Sequence, residues 1–176
     1  MEITVRILQI EDIGPLAAVF SNYDKNRSYQ LFEKYHTQQQ NGELTGLVAI
    51  LGANYLGYLT ICWNSSYDSF SRRSIPEIKD LNVLPHFRGK GYGAQLMDFA
   101  EELISEKSDF AGIGVGLYSD CGTAQRMYVR RGYVPDGLGL MYKYQKVEPG
   151  SRVKVDDELT IMLSKRLQST EEDKTE

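Results

Sequence analysis

Residues 88 to 93, Arg-Gly-Lys-Gly-Tyr-Gly, set three glycines at alternate positions beside two cations. Glycine reaches positive φ at no steric cost and lets backbone N–H groups approach a ligand with no Cβ in the way. An amphipathic stretch begins directly behind, so those amides would sit at a helix N-terminus, where the helix dipole favours negative charge. Arg88 and Lys90 strengthen the same field, and a diphosphate suits such a cradle. A nucleoside-triphosphate P-loop needs Gly-Lys-Ser/Thr at its end, whereas Lys90 is followed by Gly91 and Tyr92, which excludes that reading. A dinucleotide fingerprint wants GxGxxG after the first strand and an acid after the second. Here the spacing is GxGxG, late in the chain, without the acid at the expected distance. A glycine turn that merely joins strand to helix is the remaining alternative.

Several elements must position this segment. "ITVRILQIED" alternates as a strand, and Asp12 stands as a helix cap before "IGPLAAVFSNY". "NRSYQLFEKYHTQQQ" places Tyr29, Phe32 and Tyr35 at three-residue steps and stops at Asn41-Gly42. "TGLVAILG" and "YLGYLTICW" read as a hairpin, followed by a polar loop from Asn64 to Ser74. Pro76 and Pro85 bracket a strand over about Glu77–Leu84. From Ala94, Leu96, Met97, Ala100, Leu103 and Ile104 make one apolar face of the clearest helix. A glycine-lightened strand, "FAGIGVGLYS", precedes a short helix, "TAQRMYVRR", with Gly132 as its C-cap. "LGLMYKYQKV" and "ELTIMLSKRL" follow as strands. The order β-α-α-β-β-β-α-β-α-β-β predicts an α/β domain with a partly antiparallel, partly parallel sheet. It fills residues 1–168 without internal repeat, and the polar stretch 169–176 is expected to be disordered.

Composition narrows the function. The 176 residues and 41% hydrophobic content suffice for one core. A net charge of −4, from 24 acidic against 20 basic residues, gives no reason to expect nucleic acid or an anionic membrane as partner. The two cysteines, Cys62 and Cys121, form no CxxC, and the two histidines lie apart, so no metal is expected. The beginning lacks the pattern of a signal peptide, and no stretch approaches the roughly 18 apolar residues of a membrane helix. A soluble, cytoplasmic protein is expected.

The segment Arg88–Gly93 resembles the pyrophosphate signature of the GNAT acetyltransferase superfamily, Arg/Gln-x-x-Gly-x-Gly/Ala, and "LNVLPHFRGKGYG" keeps that family's Leu-x-Val-x-Pro lead-in. "AQRMYVRRGY", from Ala124 to Tyr133, resembles its Ala-x-x-Leu-Tyr-x-x-x-Gly-Phe segment, with Met127 for Leu and Tyr133 for Phe. The two matches stand in the family's order, about forty positions apart, and the likeness extends over roughly residues 3 to 167. Many members carry Asn three positions before that Ala, where this chain has Cys121. No histidine lies near in sequence to activate Cys121, which reads as a small buried residue rather than a nucleophile. The resemblance implies the GNAT fold, a mixed six- to seven-stranded sheet with about four helices.

It also implies transfer of an acetyl group from acetyl-CoA to the primary amine of a small molecule or peptide. Arg88, Gly89, Lys90, Gly91, Tyr92, Gly93 and Ala94 would hold the pyrophosphate, and backbone groups of Leu81, Asn82 and Val83 the pantetheine arm. The amine must be neutral to attack, so a carboxylate is expected to take its proton. Glu77 matches the base of the family's histone-acetylating branch. Asp80, on the opposite face by strand alternation, is the second candidate. Tyr128 occupies the general-acid position. By the resemblance the acceptor is met by "SNYDKNRSYQLFEKYH" and "EPGSRVKVDDE", whose tyrosines and acids suit a cationic amine. Its identity stays open, as does assembly into a homodimer. A GNAT-fold domain that only senses acyl-CoA would keep Arg88–Gly93 but need neither Tyr128 nor a base.

Overall fold

A computed structural model describes residues 3–167. In chain order its elements are β1 (Ile3–Ile7), α1 (Ile13–Phe20), α2 (Tyr29–Gln40), β2 (Leu44–Leu51), β3 (Asn54–Cys62), α3 (Asp68–Arg72), β4 (Glu77–Val83), α4 (Tyr92–Ser105), β5 (Phe110–Gly116), α5 (Gly122–Arg130), β6 (Val134–Tyr142), β7 (Gln145–Lys146) and β8 (Leu159–Arg166). The expected α/β class is observed, with eight strands rather than six or seven and five helices rather than four among the described residues. The expectation for the stretch 169–176 lies outside the described residues. Among those described, no helix is long and apolar enough to cross a membrane.

The chain folds as two compact units: residues up to Trp63 with Ile78–Leu103, and Asn64–Glu77 with the residues from Ile104 onward. In the first, the strand order is β1-β2-β3-β4, and β1/β2 and β2/β3 pair antiparallel. Its core is aromatic. Phe20 of α1 meets Tyr58 of β3 at 4.9 Å, Phe32 of α2 meets the same ring at 5.0 Å, and Tyr35 lies edge-on to Phe32 at 6.1 Å. Phe32 and Tyr35 are the buried members of the predicted α2 stripe, whereas Tyr29 stays exposed. The helix starts after extended Ser28 and ends before Gly42, at φ +74°.

Asp12 does not cap α1. Its carboxylate is fully buried, with Oδ2 and Oδ1 accepting from Arg6 at 2.6 and 2.7 Å, Oδ1 from the Tyr55 hydroxyl at 2.6 Å, and Oδ2 from the Gln9 N–H at 2.8 Å. Burial works against the charge, but these donors outweigh it and hold the Asp12 pKa below its ordinary value. A lowered carboxyl pKa contributes stability that is present above the unfolded value, about 3.9, and is lost as pH falls through the folded value. Asp12→Asn is therefore expected to cost about 3 kcal/mol at pH 7 and to flatten the fall in stability below pH 4. Urea unfolding midpoints at pH 7 and in the acid range measure both effects, and a variant with the wild-type acid limb would contradict them.

Gly57 of β3 sits against β4. A Cβ there would stand 2.6 Å from the Asn82 carbonyl oxygen and 3.2 Å from both the Val83 and Leu96 side chains. The close approach is to backbone, which cannot swing aside. Gly57→Ala is expected to destabilise by about 2 kcal/mol through forced displacement of β4, a shift measurable by thermal unfolding.

In the second unit the order is β5-β8-β6-β7 with antiparallel pairing. The stretch Asn64–Ser74, expected as a loop, contains α3; in five residues only Phe70 is buried, too short a run for helical periodicity to show. The expected strand "LGLMYKYQKV" is instead a hairpin, β6 and β7, turning at Lys143 and Tyr144 with φ +51° and +63°. Both turn positions are left-handed without a glycine or asparagine to announce it. Gly132, at φ +88°, follows α5 as predicted.

Candidate active site

All residues expected to hold a cofactor lie in the first unit. After β4 a short 3-10 turn, Pro85–Phe87, leads into the glycine segment. Gly89 and Gly91 adopt φ +74° and +86°, and no heavy atom of the described residues lies within 4 Å of where a Cβ would stand on either. Gly93 is not left-handed: α4 begins at Tyr92, two residues before the expected Ala94, and takes Gly93 and Ala94 into its first turn. Two glycines rather than three thus shape the cradle, and the third gives the helix a bare first turn. Arg88 Nε donates to the Val83 carbonyl at 2.9 Å, which ties the loop to the end of β4. Lys90 stands 5.6 Å over the Phe87 ring, and Phe87 meets Tyr92 edge-on at 6.2 Å. The result is an open left-handed loop at a helix start with two cations beside it, the arrangement a diphosphate needs.

Leu81, Asn82 and Val83 lie half-buried on β4. Asp80, just before them, is left-handed at φ +52°, and the Asn82 side-chain amide donates to its carbonyl at 3.0 Å. Regular alternation does not pass through such a kink, so the face of Asp80 is set by the kink rather than by its distance from Glu77. Its carboxylate accepts from the Tyr35 hydroxyl at 2.5 Å on Oδ2 and from Arg27 Nη1 at 3.4 Å on Oδ1. Burial, then the Asp80 charge, push the Tyr35 phenol well up, so it remains a donor.

Glu77 and Tyr128 belong to the second unit. Glu77 is only 2% exposed, with Oε2 accepting from Ser65 Oγ at 2.5 Å and Oε1 from the Tyr144 hydroxyl at 2.8 Å. Tyr128 of α5 is buried edge-on to Tyr133 at 6.0 Å. Its hydroxyl has no hydrogen-bond partner among the described residues, and burial, then the neighbouring Cys121, push its pKa up. Cys121 is half-buried, its thiol pKa raised chiefly by burial, which is the reverse of what activates a nucleophile. Among the described residues no group of three or more His, Cys, Asp or Glu could hold a metal.

Nothing in the sequence pairs Tyr35 and Arg27 with Asp80, or Ser65 and Tyr144 with Glu77. Tyr35 lies 45 positions from Asp80 and Tyr144 lies 67 from Glu77, and both look like ordinary apolar positions in their own elements.

Comparison with known proteins bears on the family. An acetyltransferase (GNAT) domain model matches residues 41–135, which contain β2 through α5 and every predicted site residue. An uncharacterized N-acetyltransferase of Archaeoglobus fulgidus is 37% identical over 62 residues, 35% of this chain; the chain spans 42% of that relative's length. The yncA protein of Salmonella typhimurium, solved with its cofactor acetyl-CoA, superposes with a TM-score of 0.64 at 18% identity, over 94% of each chain. The spermidine N-acetyltransferase of Vibrio cholerae, in complex with CoA and spermine, gives 0.67 at 15% identity, over 95% of this chain and 96% of its own. With the family model covering more than half of its length, from the second strand to the helix that carries Tyr128, the chain belongs to the GNAT acetyltransferase family.

Proposed function

We propose that the protein transfers an acetyl group from acetyl-CoA to a primary amine of a small molecule or peptide, in the cytoplasm and without a metal. The observation that carries this reading is the loop at Gly89 and Gly91, left-handed and open at the start of α4. Backbone groups of Leu81, Asn82 and Val83 and the segment Arg88–Ala94 would hold the cosubstrate, which supplies the acetyl group activated as a thioester. The product is an amide, with CoA released.

The chain's own residues handle the protons. An amine nitrogen must lose one, and a carboxylate is its natural acceptor. Glu77 is nearly closed to solvent with a donor on each oxygen, whereas the Asp80 side chain is 34% exposed. We therefore assign proton removal to Asp80 and give Glu77 the task of holding Ser65 and Tyr144 in place. Tyr128, protonated and without a hydrogen-bond partner among the described residues, supplies the proton that the departing sulfur gains.

Acetyl-CoA consumption in the presence of spermidine and of a short peptide with a free amino terminus tests the reading. Turnover supports it. Tight CoA binding with no amine acetylated would leave a domain that senses acyl-CoA.

A further inference from the structure

The first unit contains two clusters of the same composition, an aspartate between an arginine and a tyrosine. In one, Asp12 is wholly buried, also caps the Gln9 amide, and serves the core. In the other, Asp80 has the same two kinds of donor, but its side chain is 34% exposed and it sits at a kink inside a strand. A non-glycine residue at positive φ within a strand is strained, and such strain persists where the surroundings enforce it.

The surroundings here are specific. The Tyr35 ring is fixed by Phe32 at 6.1 Å, which is itself packed on Tyr58 at 5.0 Å, so the hydroxyl is aimed by core packing. Arg27, in the connection between α1 and α2, is 3.2 Å from Asp24 and 3.4 Å from Asp80. Each Asp80 oxygen thus has one donor fixing the carboxylate plane. A carboxylate oxygen can accept more than one hydrogen bond, so each keeps capacity for a further partner. This is what a base must offer: a fixed direction, a stabilised charge and a free lone pair.

We propose that Tyr35 is a positioning residue for acetyl transfer, which with Arg27 orients the Asp80 carboxylate to receive the proton of the acceptor amine. The inference rests on the function proposed above and on Asp80 as its base.

The experiment compares wild type, Tyr35→Phe, Arg27→Gln and Asp80→Asn as full chains, with acetyl-CoA and the same two amines. Tyr35→Phe keeps the ring in the core; it is expected to lower kcat about ten-fold with the KM for acetyl-CoA unchanged. Arg27→Gln should lower kcat the same way and decides the question if Tyr35→Phe does not fold. A full loss in Asp80→Asn with wild-type kcat in the other two overturns the role of Tyr35 and leaves Asp80 as base. Wild-type turnover by Asp80→Asn removes the base and the inference together, while the transferase reading stands. Absence of turnover by wild type removes the transferase reading and this inference with it.

Discussion

Replacing Gly91 by Asp is expected to weaken CoA binding at least about 100-fold, read by calorimetric titration, while the protein stays folded. Two effects combine. The backbone at Gly91 stands at φ +86°, a region that costs a residue with a Cβ roughly 1–2 kcal/mol. The carboxylate then projects into the space beside Arg88 and Lys90, where it competes with a diphosphate for their charge and repels the diphosphate itself. At 1.4 kcal/mol per factor of ten, about 3 kcal/mol from the two together gives the stated loss. No described side chain outside the loop lies within 4 Å of the new Cβ, so the loop can relax in the free protein; the strain is then met on binding and the melting temperature should change little. Gly91→Ala carries the backbone strain without the charge and should lose about ten-fold. Unchanged affinity in a folded Gly91→Asp protein would show that the loop holds no phosphate.

Tyr128→Phe separates chemistry from structure in the second unit. The hydroxyl has no hydrogen-bond partner among the described residues, so its removal leaves none of them unsatisfied and thermal stability should change little. Loss of a positioned general acid lowers kcat by about 10²-fold or more. CoA affinity and acceptor KM should hold. The raised pKa has a further consequence with a definite sign: Tyr128 stays protonated to higher pH than an ordinary tyrosine, so any descending limb of wild-type turnover assigned to it must lie above pH 10. Equal kcat for Tyr128→Phe and wild type would assign protonation of the leaving group to solvent.

The parts of the fold that the sequence made legible are those where pattern and local chemistry coincide. Of the five apolar rungs that marked α4, Leu96, Met97, Ala100 and Ile104 are fully buried and Leu103 is half-buried. The loop at Gly89 and Gly91 was readable because its requirement, glycine at left-handed positions, is written in residue type. Gly93 shows the limit of that reading: a glycine entering the first turn of a helix looks the same in sequence as one that must be left-handed. Asp80 and the pair Lys143–Tyr144 show the converse, since left-handed backbone at non-glycine residues leaves no mark. The supporting shell of the site was unreadable for another reason. Whether Tyr35 packs as plain core or turns its hydroxyl to a carboxylate is decided by a strand 45 positions away, and helix periodicity knows nothing of it. Asp12 failed as a cap in the same way, because Arg6 and Tyr55 offered its carboxylate a better set of donors than one helix amide.

The hairpin between β6 and β7 bears on any attempt to engineer this protein. By turn statistics Lys143-Tyr144 is a poor choice for two left-handed positions, and a design program seeking thermostability would write Asn-Gly there. That exchange would relax the backbone but delete the hydroxyl that satisfies Oε1 of a carboxylate with almost no access to water. The unfavourable turn is thus a compromise in which local economy is given up to hold Glu77, and stabilising screens that count only hairpin propensity will select against it.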